Sequence, residues 1–73
     1  MVIKLFHAIR SRWHARQRAI DMEILWPECL AHAEGSLYLA KTAFAMHCHN
    51  DPAWRVLGRE WINEFIDKLE PYD

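Results

Sequence analysis

The sequence predicts an all-α fold, a small helical bundle with a basic amphipathic N-terminal arm. Apolar residues recur at helical spacings of three and four, strand-like alternation is nearly absent, and no Asn-Gly or Asp-Gly hairpin turn occurs. A chain of 73 residues makes one domain, close to the lower size limit for a self-supporting core. Its four tryptophans bring large apolar surfaces to that core, and one of them can serve outside it at an interface.

Charge is divided sharply along the chain. The first eighteen residues carry five basic side chains and no acid, whereas the remainder carries ten acids against four basic side chains. We therefore divide the chain into a basic arm, residues 1–20, and an acidic body, residues 21–73. A one-signed arm indicates an interaction segment for nucleic acid, an acidic protein surface or an anionic membrane. The alternative is that the arm folds back onto the acidic body.

The arm is expected to form an amphipathic helix. At 100° per residue, one face collects the apolar side chains of Val2, Leu5, Phe6, Ile9, Trp13 and Ile20. The candidate partner-binding residues are Lys4, Phe6, Ile9, Arg10, Arg12, Trp13, Arg16 and Arg18. Such a helix can bind RNA, a membrane surface or a protein groove, with the arginines at its rim. A fourth possibility is that Ile9, Trp13 and Ile20 complete the core.

Prolines and glycines set the expected helix boundaries in the body. A helix begins at Pro27, with Glu28 near its positive end. Gly35-Ser36 is either tolerated within this helix or ends it, in which case Ser36 caps a new one.

The last part of the body is divided more clearly. Asp51 is expected to cap a short helix over residues 52–57, and Gly58 to separate it from a longer helix over residues 59–69. An apolar stripe follows these helices through Trp54, Leu57, Trp61, Phe65 and Leu69, widened by Ile62 and Ile66.

One group of residues has the donor types of a metal site. The weak candidate ligands are Cys29, His32, His47 and His49, in the pattern Cys-x2-His…His-Cys-His. On a continuous helix the two halves would lie about 20 Å apart, so they could meet only if the chain turned back at Gly35-Ser36. The favoured interpretation is that Cys29 and Cys48 are small buried apolar residues and that the histidines flank a helix end. We expect neither a metal nor another cofactor.

The sequence argues against an enzyme. It contains no nucleophile elbow, no phosphate-binding glycine loop and no Ser/His/Asp pattern, and so small a body rarely builds a pocket. Glu60, Glu64 and Asp67 form an acidic face that is either solvated or docks a basic partner, with Lys68 placed to pair with Glu64. No signal peptide or membrane span is visible, which predicts an intracellular protein with reduced thiols and no membrane partner.

From Ile24 onward the sequence resembles a group of small phage and prophage proteins. The residues that carry the resemblance are Leu25-Trp26-Pro27, Cys29, Ala33, Gly35, Leu37, Ala40, Ala43-Phe44-Ala45, His47, Asp51-Pro52-Ala53-Trp54, Leu57-Gly58, Ile66-Asp67 and Leu69. They exclude the arm, and most are apolar or turn residues. The resemblance therefore specifies a fold better than an activity.

In length and helical character the chain is also similar to a transcription regulator of a lytic Xanthomonas phage, although no functional motif aligns residue by residue. This resemblance implies a protein that binds host RNA polymerase near the RNA exit channel, at the start of the β′ subunit and the β flap. It would inhibit initiation by displacing σ and suppress termination, with nascent RNA as a further contact. We expect a monomer in the host bacterial cytoplasm. Two alternatives stay open: an arginine-rich RNA-binding protein and a small zinc-stapled interaction module.

Overall fold

The computed structural model describes the backbone of residues 2–70 and the side chains of residues 11–70. Every regular element within residues 2–70 is helical. In chain order these are α1 (Val2–Ile20), a π-helical turn (Asp21–Leu25), α2 (Trp26–His32), α3 (Leu37–Asn50), α4 (Pro52–Arg55) and α5 (Arg59–Asp67). The prediction of an all-α bundle is confirmed, and the arm is helical as expected.

Helix α1, the π turn and α2 form one unbroken helical rod. Ile20 and Trp26, which flank the π turn, both have α-helical backbone angles. At 1.5 Å per residue, a rod from residue 2 to residue 32 measures about 46 Å, and the longest dimension of the molecule is 49 Å. The α-helix predicted to begin at Pro27 begins at Trp26, one residue earlier. It continues directly from the π turn, and no non-helical residue precedes it.

The π turn explains how the rod accommodates Pro27. In a regular α-helix the proline ring would clash with the carbonyl of Glu23 and leave it without a donor. Here the N–H of Trp26 donates to the carbonyl of Asp21, five residues earlier, so the helix widens just before the proline. Because α2 continues the π turn, Glu28 does not lie at a free positive helix end, contrary to the sequence prediction.

A tight turn reverses the chain between α2 and α3. Glu34 and Gly35 adopt positive φ angles of 52° and 89°, a region that glycine enters without steric cost. The hydroxyl of Ser36 then accepts a hydrogen bond from the Leu39 N–H at 3.3 Å. Of the two alternatives left open by the sequence, the one in which Ser36 caps a new helix is confirmed.

Helices α4 and α5 begin at the residues predicted from the Asp51 cap and from Gly58. The carboxylate of Asp51 accepts a hydrogen bond from the Ala53 N–H at 2.7 Å and caps α4, and Gly58, with φ of 92°, separates α4 from α5. Both helices end about two residues earlier than predicted.

The body packs around one aromatic core. Helix α3 contacts α2, α4 and α5. At its centre the ring of Phe44 lies 5.5 Å from that of Trp26 and 5.6 Å from that of Trp54. The buried apolar side chains are Trp26, Ala40, Phe44, Cys48, Ala53, Trp54, Ile62 and Ile66.

The buried face of α5 differs from the predicted stripe by one residue. Ile62 and Ile66 are buried, whereas Trp61 is 46% exposed and stacks on Phe65 with ring centroids 5.2 Å apart. Trp61, which the sequence assigned to the apolar stripe, therefore lies at the edge of the buried face. Helical phase is not carried from Trp54 to Trp61, because Gly58, with its positive φ angle, separates the two helices.

Candidate functional site

The exposed side of α1 carries two arginines and a tryptophan. Arg12 and Arg16 are exposed, and Trp13 is 50% exposed. Neither arginine forms an ion pair with an acidic side chain of the described residues. Four other candidate partner-binding side chains, those of Lys4, Phe6, Ile9 and Arg10, lie outside the residues whose side chains are described.

A polar side chain, that of His14, lies on the buried side of α1. His14 is only 7% exposed, and its ring meets that of Trp13 edge-on at 5.2 Å. Because Trp13 is half exposed and lies outside the core cluster, it does not complete the core, which was one of the alternatives left open by the sequence. Its exposed indole is available as an apolar anchor beside the two arginines.

Arg18 differs from the other described arginines of the arm because it contacts the body. Its Nη1 donates to the carbonyl of Ala53 at 2.7 Å in a partly buried position. This bond ties α1 to α4, the helix that α1 contacts closely, besides the adjoining π turn, among the described elements. Arg18 was predicted to bind a partner, but its described hydrogen bond is made within the protein and holds α1 against α4.

A second polar contact centres on Asp21, the first residue of the body and of the π turn, which the sequence analysis did not single out. Its Oδ2 accepts a hydrogen bond from Trp54 Nε1 at 2.8 Å and lies 2.9 Å from His47 Nε2. The π turn, α3 and α4 therefore meet at one carboxylate oxygen. A sequence signal was present, because a buried tryptophan needs an acceptor for its N–H.

His47 faces a second carboxylate at this junction. Its Nε2 lies 3.5 Å from Asp51 Oδ2, while Asp51 Oδ1 is held by the α4 cap. No lysine or arginine among the described residues comes within 4.0 Å of the carboxylate of Asp21 or Asp51. The junction is therefore locally rich in negative charge.

The four ligands considered from the sequence are not brought together. The chain does turn back at Gly35, but His49 Nε2 bonds Asn63 Oδ1 at 2.8 Å, and Cys29 and His32 line a separate groove of about 330 Å³. The described residues contain one group of three potential ligands, and it consists of Asp21, His47 and Asp51. Only His47 belongs to both sets.

The two cysteines are free thiols with raised pKa values. Burial raises the pKa of Cys48 to about 12, and the carboxylates of Asp21 and Asp51 add to the shift. Partial burial and Glu28 raise the pKa of Cys29. Both thiols therefore stay protonated near neutral pH, unlike the thiolates that bind zinc or attack substrates. The interpretation of Cys48 as a small buried apolar residue is confirmed.

No family model matches this chain, nor does any curated protein or solved structure. The resemblance to small phage proteins therefore depends on the sequence positions alone. Several of them, including Trp26, Phe44 and Trp54, form the core, which agrees with a pattern that specifies a fold. Among the described residues, no helix combines the length and the apolar character that a membrane crossing requires.

The surface of the body offers an open groove and an acidic face. The groove has a volume of about 770 Å³ and is lined by Thr42, Ala45, Met46, His49, Asn50, Arg55, Arg59 and Ile62. The groove is open to solvent, and the absence of catalysis stays a prediction. Glu60, Glu64 and Asp67 are exposed as expected. Lys68 does not pair with Glu64, because α5 ends before it.

Proposed function

We propose that this protein is a phage-encoded transcription regulator that binds bacterial RNA polymerase through the exposed side of α1. The observation that carries the proposal is the placement of Arg12, Trp13 and Arg16 on a solvent-facing surface of a basic helix, next to an acidic body. Tryptophan and arginine are the residues that most often dominate the binding energy of protein interfaces.

The charges of this surface are available to a partner. Arg12 and Arg16 have no ion pair with the body's described acids, so binding would not first have to break one. The exposed acidic face of α5 provides the opposite charge for a basic part of the same partner. Complementary charge on both surfaces would speed encounter and fix the orientation of the complex.

The sequence resemblance supports a position near the RNA exit channel, at the start of the β′ subunit and the β flap. In that position the protein would displace σ and so inhibit initiation. The arginines of α1 would contact phosphates of the nascent RNA and hinder the formation of a terminator hairpin. The protein would act as a monomer in the host bacterial cytoplasm.

The test uses purified bacterial core polymerase and the fluorescently labelled full chain. The double variant Arg12→Gln/Arg16→Gln and the variant Trp13→Ala should each weaken binding by about tenfold or more, as expected for interface anchors. Arg18 is left unchanged, since its loss would also remove the bond to Ala53. The matched control is Arg55→Gln/Arg59→Gln, which removes the same charge from the groove of the body and should bind like the parent.

A transcription assay on a template with a terminator completes the test. The parent and the groove variant should increase read-through, and the α1 variants should not. Absence of binding to core polymerase, or equal losses in both double variants, would contradict the proposal. Binding that disappears after nuclease treatment would instead identify an RNA-binding protein.

A further inference from the structure

We propose that Asp21, His47 and Asp51 form a binding site for one divalent transition-metal ion of the zinc class. The site lies where the π turn, the last turn of α3 and the cap of α4 meet. The candidate ligand atoms are one carboxylate oxygen of each aspartate and one ring nitrogen of His47, and all of them lie within 4.8 Å of one another. The site is independent of the proposed polymerase binding.

The two distances from the ring nitrogen of His47 to the carboxylate oxygens already resemble those between neighbouring ligands of a bound ion. His47 Nε2 lies 2.9 Å from Asp21 Oδ2 and 3.5 Å from Asp51 Oδ2. Zinc binds nitrogen and oxygen at about 2.0–2.2 Å, which separates neighbouring ligand atoms by about 3.0–3.5 Å. The ion would occupy the space between His47 Nε2 and the two carboxylate oxygens, and the coordinated ring would carry its proton on Nδ1.

The donor set selects the class of ion. One imidazole nitrogen with two carboxylate oxygens suits zinc and its neighbours such as cobalt and nickel, whereas calcium and magnesium prefer oxygen ligands alone. With a neutral imidazole, the two carboxylates give the site a charge that a divalent cation balances. Within the described residues no lysine or arginine lies within 4.0 Å to balance it instead.

Neighbouring groups hold the ligands in place. The Ala53 N–H binds Asp51 Oδ1 at 2.7 Å, which leaves Oδ2 directed at His47. Trp54 Nε1 donates to Asp21 Oδ2 at 2.8 Å, and a carboxylate oxygen that accepts one hydrogen bond keeps a lone pair for a metal. Such outer contacts orient ligands and raise metal affinity.

The site is sheltered but open to solvent. The side chains of Asp21, His47 and Asp51 are 15%, 33% and 29% exposed. An ion can therefore enter, and water can complete its coordination. A bound ion would join the π turn, which continues α1, to α3 and to the cap of α4.

The test is a titration of the full chain with Co²⁺, followed by displacement with Zn²⁺. Co²⁺ serves as the probe because its visible absorption reports nitrogen and oxygen ligands directly. We expect one ion per chain, and loss of the spectrum when Zn²⁺ is added. His47→Gln, Asp21→Asn and Asp51→Asn should each weaken binding by at least about tenfold. Asparagine keeps an acceptor for Trp54 at position 21 and a capping side chain at position 51, and circular dichroism confirms that each variant is folded.

The matched controls are His32→Gln and His49→Gln, which remove histidines outside the site and should leave the affinity unchanged. In addition, Zn²⁺ should raise the melting temperature of the parent and of both controls, but not that of His47→Gln. The proposal is overturned if the folded parent shows no saturable binding of one ion, or if His47→Gln binds as the parent does. Equal weakening by His32→Gln would also overturn it, because the ligands would then be the Cys-His set.

Discussion

The arm and the body are held together by different kinds of contact. Inside the body, the ring of Phe44 packs between those of Trp26 and Trp54 in a fully buried core. The contacts described between the helical rod around Ile20 and the body include two polar bonds: Arg18 donates to a carbonyl of α4, and Trp54 donates to Asp21, which directly follows α1. Burial of apolar surface is non-directional, whereas a hydrogen bond is directional. The body therefore accounts for stability, and a few polar groups set the direction of the arm.

The largest expected effect is the loss of the aromatic core. Phe44→Ala should cost about 3–5 kcal/mol of the free energy of unfolding, because it removes the ring between two tryptophans and leaves a cavity. A domain of this length has about 4–11 kcal/mol in total, so the variant should lose a large share of its stability and melt at a clearly lower temperature. Thermal denaturation followed by circular dichroism measures this. Phe44→Leu, which fills most of the space, should lose clearly less, and equal losses would contradict the central place of the ring.

A smaller effect is expected at the junction. Asp21→Ala leaves Trp54 Nε1 without its acceptor and should cost about 1–3 kcal/mol. If polar contacts direct the arm, amide hydrogen exchange should speed up more in α1 than in α3. Asp21→Asn keeps an acceptor and serves as the control, with a smaller change. Uniform acceleration in both helices would show that arm and body unfold as one unit and that the contrast between them is not energetic.

Alkaline pH should weaken the body through Cys48. In the unfolded chain a cysteine loses its proton at about pH 8.5, whereas burial raises the pKa of Cys48 to about 12. The stabilisation is therefore complete below about pH 8.5 and is lost as the pH rises toward 12, with a cost of about 2 kcal/mol by about pH 10. Urea denaturation at pH 8 and pH 10 measures the loss. Cys48→Ala should show a smaller dependence on pH, and an identical slope would exclude this thiol as the cause.

The smallest effect separates two arginines of the same helix. Arg18→Gln removes the bond to the Ala53 carbonyl and should cost about 1 kcal/mol. Arg16→Gln, on the exposed side of α1, should leave the free energy of unfolding unchanged within error while weakening the binding of a partner. The two variants have the same charge, so chemical denaturation compares them directly. A reversed order would show that the division of α1 into a structural and a binding side is wrong.

The sequence predicted most where a single residue determines the backbone. Ser36, Asp51 and Gly58 act at the expected places, since a cap or a positive φ angle depends on local chemistry. It determined less where two helices are joined. Trp61 belongs to the predicted apolar stripe but is half exposed, because the stripe crosses Gly58, where helical phase is lost.

The candidate site was the hardest part to predict. In the sequence, nothing distinguishes Asp21 from the other acidic residues. Its contacts with His47 and Trp54, both more than twenty residues away, form only in the folded chain. The exposed arginines were found from composition, but composition could not distinguish Arg16 from Arg18. That distinction depends on where α4 presents the Ala53 carbonyl.

The π turn also determines the direction in which the side chains of the arm point around the helix axis. An α-helix advances by about 100° per residue, and a π turn accommodates one residue more than the α-helical turn it replaces. The rod is continuous on both sides of Asp21–Leu25. The direction in which the arginines point around the rod axis therefore depends on this one additional residue. A chain shortened by a single residue in the turn would present the same arginines about 100° away from their present direction. Insertion or deletion at this place could therefore redirect the arm without changing the composition of its surface or the core of the body.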